Sequence, residues 1–149
     1  MGVLAVEIEL SSEADEIMIR RGHGQAAGVR RELVQAVVGS GATMLVIPSE
    51  LSARPGLDAL DRKLIGIADG TVLECDVVGP LKVRLGDRTC FGSAIAMPGR
   101  ANVLLGALQM EEMDLVVDAL AGRLIPNPRS PERAMAFAVG VVVHGPPPA

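Results

Sequence analysis

The sequence predicts an all-β domain of sandwich or barrel class. Three observations lead there. Seven to nine short apolar runs are separated by turn residues about every eight to twelve positions. Gly and Pro, with 17 and 10 copies in 149 residues, supply those turns. Almost half the chain is apolar, yet only Phe91 and Phe137 are aromatic, so a core of this size must be aliphatic.

The elements follow in order. Val6, Ile8 and Leu10 alternate with Glu7 and Glu9, the pattern of a half-buried strand. Ser11 to Glu16 reads as an acidic turn and Ile17 to Arg20 as a short strand, followed by a loop over Gly22 to Gly28. Glu32 to Val38 is another apolar segment, leading into Gly39-Ser40-Gly41-Ala42-Thr43. Met44 to Ile47 is a further apolar run, stopped by Pro48, and Ser49 to Ala53 has room for a single helical turn before Pro55-Gly56. Leu64 to Ala68 and Thr71 to Val78 flank Asp69-Gly70. That is a hairpin signal, because a type I′ turn requires positive φ at both central residues. Gly79-Pro80 predicts a break. Leu81 to Leu85 and Thr89 to Met97 form a second hairpin at Gly86-Asp87, and Pro98-Gly99 is a turn. Val103 to Gly106 is a short buried run. Ala107 to Met113 is the best helix candidate, with Leu108 and Met113 inward and Glu111-Glu112 outward. Leu115 to Asp118 and Arg123 to Ile125 close with a strand pair around Gly122. A Pro-rich extension, 127–149, follows the β domain of 1–126; its apolar stretch Phe137 to Val143 could add an edge strand.

Composition narrows the function. A platform for single-stranded nucleic acid needs rings on which bases stack, and an aromatic cage for ammonium groups needs them too. A net charge of -4 disfavours a phosphate-tracking surface, so no nucleic-acid partner is expected. No apolar run reaches the ~18 residues of a membrane span. The charged alternation of Met1 to Leu10 is unlike a signal peptide, and the Ser/Thr of a myristoylation signal falls on Val6. Cys75 and Cys90 form no C-x-x-C and read as reduced, partly buried thiols of a cytoplasmic protein. His23 and His144 stand far apart, so no metal site and no cofactor are expected.

The glycine segment has two readings. As G-x-G-x-x-G it would be a dinucleotide fingerprint, but Met44 occupies the third glycine and Met44 to Pro48 is a poor helix start. The alternative is a resemblance. Ala36 to Pro48 (AVVGSGATMLVIP) resembles the active-site segment of retropepsin-like aspartic peptidases, apolar-Asp-Ser/Thr-Gly-Ala and an apolar run. Ala68-Asp69-Gly70-Thr71 falls where that family has its flap. Val103-Leu104-Leu105-Gly106 falls where it has an apolar-apolar-Gly element before a short helix. Leu115 to Asp118 then leads into a closing strand. The likeness runs over roughly Val3 to Pro126 and is greatest to small bacterial members of the clan.

The resemblance implies a small closed barrel with one short C-terminal helix. It also implies a homodimer, because a chain with one motif needs a second copy to complete the site, and a peptide or protein substrate. In the family two aspartates share a proton and hold the attacking water. Here the position of that Asp is Gly39, which carries no carboxylate, and dimer symmetry would repeat the loss. By the same resemblance Ser40 ties the two active-site loops together, Gly41 permits close backbone approach, Ala42 keeps the site narrow, and Thr43 stands where the family commonly has Thr. Asp69 and Gly70 form the flap tip. Asp69, Asp114 and Asp118 are the candidate replacement acids, but each has an ordinary turn or helix-end role. The expectation is a peptidase-like chain that is catalytically inactive, with a non-enzymatic homodimeric peptide-binding module as the alternative.

Overall fold

A computed structural model describes residues 4–25, 28–39 and 41–136. Ser40, His144 and the candidate edge strand from Phe137 to Val143 lie outside the described residues. The chain is mostly strand and forms a closed six-stranded barrel with two short helices, as the sequence predicts for its class.

Strand β1 (Leu4–Ser12) turns Ile8 and Leu10 into the core while Glu7 and Glu9 point outward. The acidic stretch that follows is a helix rather than a turn and strand. In α1 (Glu13–Arg20) the Ser12 side chain caps the first turn by accepting from the Asp15 N–H at 3.1 Å. Glu13, Asp15 and Glu16 lie at the positive end of its dipole, and Arg20 at the negative end pairs back to Glu13 at 2.9 Å. Ile17 to Arg20 reads as a strand in isolation, but the cap and the charge order decide for helix.

After β2 (Arg31–Val38), β3 (Val46–Pro48) and a 3-10 turn (Ser49–Ala53) comes β4 (Asp58–Gly66). It starts six residues before Leu64 and pairs only with β5 (Val72–Leu85). Gly79-Pro80 does not end β5. The strand passes through a register irregularity there, and Gly79 is needed because a Cβ would lie 2.9 Å from the Gly92 carbonyl oxygen. Before Gly79 the partners of β5 are β4 and β6 (Arg88–Met97); after it they are β1 and β6. The remaining elements are β7 (Val103–Leu104), α2 (Ala107–Met113), β8 (Leu115–Asp118) and β9 (Arg123–Pro126).

The barrel order is β1-β2-β7-β3-β6-β5, closed by β5 on β1; β2–β7 and β3–β6 are parallel and the other pairs antiparallel. Its interior is aliphatic: Ile8, Leu10, Leu45, Ile47, Leu81, Leu105 and Met113 are fully buried, whereas Phe91 is exposed. β8 and β9 form a separate two-stranded sheet.

Two helix expectations change at the C-terminal end. Leu108 is half exposed rather than inward, while Met113 is fully buried as expected. Asp114, expected at an exposed helix end, is instead the partly buried left-handed C-cap of α2, at φ 56°. Its carboxylate accepts from the Ser130 hydroxyl, from Asn127 Nδ2 at 3.0 Å and from the Met135 N–H at 3.0 Å. Arg88, buried on β6, donates to the carbonyls of Met113 at 3.1 Å and Ser130 at 2.6 Å. Together they fasten the start of the Pro-rich extension to the barrel.

Candidate functional site

The glycine loop sits between β2 and β3, and two backbone features fix its course. Gly39 and Gly41 both lie in the left-handed region, at φ 84° and 83°, where a side chain adds strain. Parallel pairing of Ala36 with Val103 and of Val37 with Leu104 then brings the Val103 to Gly106 run alongside. Leu105 N–H donates to Val37 O at 2.9 Å, Ala107 N–H to Ala42 O and Leu108 N–H to Thr43 O, both at 3.0 Å. Gly106 permits this approach, since a Cβ there would lie 2.6 Å from Met44 O and press on Thr43 O as well. Two motifs 60-odd positions apart in the chain thus form one unit. The segment after the loop is strand β3, so the helix that a dinucleotide fingerprint requires is not there.

The β4–β5 hairpin is the second part of the site. Its turn differs in type from the expected I′. Gly70 N–H donates to Ile67 O at 2.9 Å, so the tight turn centres on Ala68-Asp69, and only Gly70 has positive φ, at 87°. Asp69 accepts from the Thr71 N–H at 2.8 Å, and its carboxyl is held below the usual range first by the Thr71 side chain and then by that N–H. It is a turn-holding residue. Asp118 has a similar part, accepting from Ala121 N–H at 3.2 Å at the β8–β9 turn.

A cavity of about 420 Å³ separates the hairpin from the glycine loop. Gly41, Ala42, Thr43 and Met44 line one side, and Ile65 to Ala68 of the hairpin line the other. Val46, Ile95, Met97 and Leu104 make the floor, backed by the buried Cys75 and Val77. Burial raises the Cys75 thiol pKa, and burial pushes that of Cys90, elsewhere in the barrel, up to about 12, so both stay protonated and inert as free thiols.

The predicted site residues divide between two spaces. Gly41, Ala42 and Thr43 face the cavity under the hairpin, but Gly39 does not. Gly39 opens, with Gly41 to Thr43, onto a second cavity of about 290 Å³ bounded by Leu105, Met110 and Val117. A Cβ at position 39 would meet nothing within 4 Å. Asp69 and Gly70 stay at the hairpin tip and line neither space. No carboxylate lines either cavity among the described residues. Nor do the described residues contain a cluster of three or more His, Cys, Asp or Glu able to hold a metal ion. No helix among them is long and apolar enough to cross a membrane.

Sequence reasoning passed over Arg100. It follows the Pro98-Gly99 turn and lines the cavity under the hairpin as its only charged residue among those described. A lone basic residue between two apolar runs was the available signal. Compared with models of protein families, with curated proteins and with solved structures, the chain matches none.

Proposed function

We propose that this chain is a peptide-binding domain of retropepsin type that holds an extended peptide beneath the β4–β5 hairpin without hydrolysing it. The observation that carries this reading is the cavity of about 420 Å³ between hairpin and glycine loop, walled by aliphatic side chains and free of carboxylates among the described residues. β4 supports it further. Among the described residues it is the last strand of its sheet, so one edge of its backbone is unpaired by any of their strands and can take an added one. Without a carboxylate there is no group to deprotonate a water, and acid–base assistance of about 10²–10⁴ per group is lost.

The domain would act as a homodimer. Leu120 is fully exposed, Val117 and Leu108 are about half exposed, and the two-stranded β8–β9 sheet presents open edges beside them. A second copy would cover these groups.

A peptide array probed with the intact chain tests the reading. Retention of extended peptides, abolished by Ala68→Trp, which fills the cavity from the exposed hairpin tip, is the expected result. A folded dimer that retains no peptide overturns it. A second reading, descent from an active peptidase, is favoured by the register of the glycine loop with the Val103 to Gly106 run, and Gly39→Asp tests that.

A further inference from the structure

Arg100 has no counter-charge among the described residues. Most basic side chains of the barrel are engaged: Arg30 with Asp15, Arg31 with Glu9 and Glu16, Arg54 with Glu32, Arg62 with Glu74 and Asp76, and Lys82 with Glu16. The described cations that lack an ion pair are Arg21, Lys63, Arg84, Arg100, Arg129 and Arg133, and of these only Arg100 is not exposed. Its Nε is out of contact with water and has no hydrogen-bond partner. Arg100 also lines a neighbouring cavity that contains Glu50, yet the two form no ion pair. A guanidinium is always protonated, and on this half-buried side chain one donor, Nε, is withheld from water with no partner, which is unfavourable. An acceptor entering the cavity would complete it.

Its position says what that partner must be. Arg100 stands at the β6–β7 turn, on the wall of a cavity otherwise lined by Ile, Val, Met, Leu, Ala, Gly and Thr. A planar fork of donors in an apolar wall matches a carboxylate, which it can grip with two parallel hydrogen bonds. We infer that Arg100 receives a carboxylate of the bound peptide, so that the groove selects acidic ligands. The inference rests on the peptide-groove reading and narrows it: aliphatic walls accept the peptide's apolar side chains, and Arg100 sets the register. The carboxylate has two possible sources, a Glu or Asp side chain within the peptide or a free C-terminus.

A fluorescein-labelled decapeptide series on a Val/Leu/Ala background separates them. One Glu, or Gln in its place, is walked along the peptide, and each member is made with a free and with an amidated C-terminus. Binding to the full chain is followed by anisotropy. Wild type should bind the Glu peptide of one register at least about tenfold tighter than its Gln twin, since charged hydrogen bonds each contribute ~1.5–3 kcal/mol. If the terminus is the source, the free form wins by that factor whatever the Glu position. Arg100→Met should bring the ratio to about one, and Arg100→Lys should keep part of it; melting curves confirm that each is folded, and the wild-type ratio needs no variant. Equal binding of Glu and Gln, free and amidated, overturns the assignment of Arg100 while leaving the groove standing. A preference that survives in folded Arg100→Met overturns it as well. No binding by any peptide overturns the groove and the inference together.

Discussion

Gly39→Asp probes both the loop backbone and the chemistry. The structure separates its cost from its gain. A Cβ at 39 meets nothing within 4 Å, so the first atom of a side chain there has open space. The backbone there is left-handed, at φ 84°, which costs a non-glycine residue about 1–2 kcal/mol. Asp lies at the lower end, because its short side chain bonds locally in that conformation. Gly39→Asn has the same shape and backbone preference without the acid, so it isolates the strain. Urea unfolding should show both variants less stable than wild type by about 1–2 kcal/mol. If the chain descends from a dimeric peptidase, only Gly39→Asp should then cleave members of a broad peptide library, at mildly acidic pH where one of two carboxylates brought together across the proposed dimer keeps its proton. In the proposed homodimer both copies contribute, so the rate should rise more steeply than linearly with protein concentration near the dimer dissociation constant. Stability unchanged in both variants would refute the left-handed backbone at 39. A folded, dimeric Gly39→Asp that cleaves nothing would refute peptidase descent.

Gly106→Ala should cost about 3 kcal/mol or more in urea unfolding. Its Cβ meets backbone atoms of Thr43 and Met44 and strains the two hydrogen bonds from Ala107 and Leu108; a loss below about 1 kcal/mol would mean that the helix is not pressed on the loop. Removing 127–149 should destabilise by at least about 1–3 kcal/mol, because the buried Arg88 loses its Ser130 acceptor; an unchanged unfolding midpoint would contradict the docking of the extension. Asp114 has its carboxyl held below the usual range, first by the Ser130 hydroxyl and then by Met135 N–H and Asn127. A lowered folded pKa gives stability that is present above the unfolded value, about 3.9, and lost as pH falls through the folded one. The melting-temperature gap between wild type and Asp114→Asn should therefore be widest near neutral pH and close in strong acid; a gap that stays constant would rule out the ionised carboxylate as its source.

Much of the barrel was legible because barrel strands are half-buried, and half-burial writes an alternation into the sequence. Ile8 and Leu10 against Glu7 and Glu9 are such a case. The first half of β4 was not legible for the converse reason. Asp58 to Leu64 is exposed throughout, so no face is selected and no period appears. In α1 the signals competed: Ile17-Met18-Ile19 looks like strand, and the cap at Ser12 outweighs it only with the charges at both ends counted. Gly79-Pro80 reads as a breaker in isolation, yet in the fold it marks where β5 exchanges one neighbour for another. At the site, the glycine loop and the Val103 to Gly106 run were legible as motifs, whereas the turning of Gly39 away from the hairpin cavity depends on dihedral angles. Arg100 was visible as a residue, but its want of a partner is a property of the folded surroundings.

The exchange of neighbours along β5 also sets a gradient of local stability. Leu81 to Arg84 is flanked by β1 and β6, and Asp76 to Val78 by β4 and β6, but Val72 to Cys75 has only β4 beside it. Amide hydrogens of the last group can reach solvent by parting one ladder, while those of the first require the barrel seam to open. Hydrogen exchange along this single strand should run from fast at the hairpin end to globally limited beyond Gly79. The hairpin end can therefore open locally by parting one ladder while the barrel beneath it stays shut.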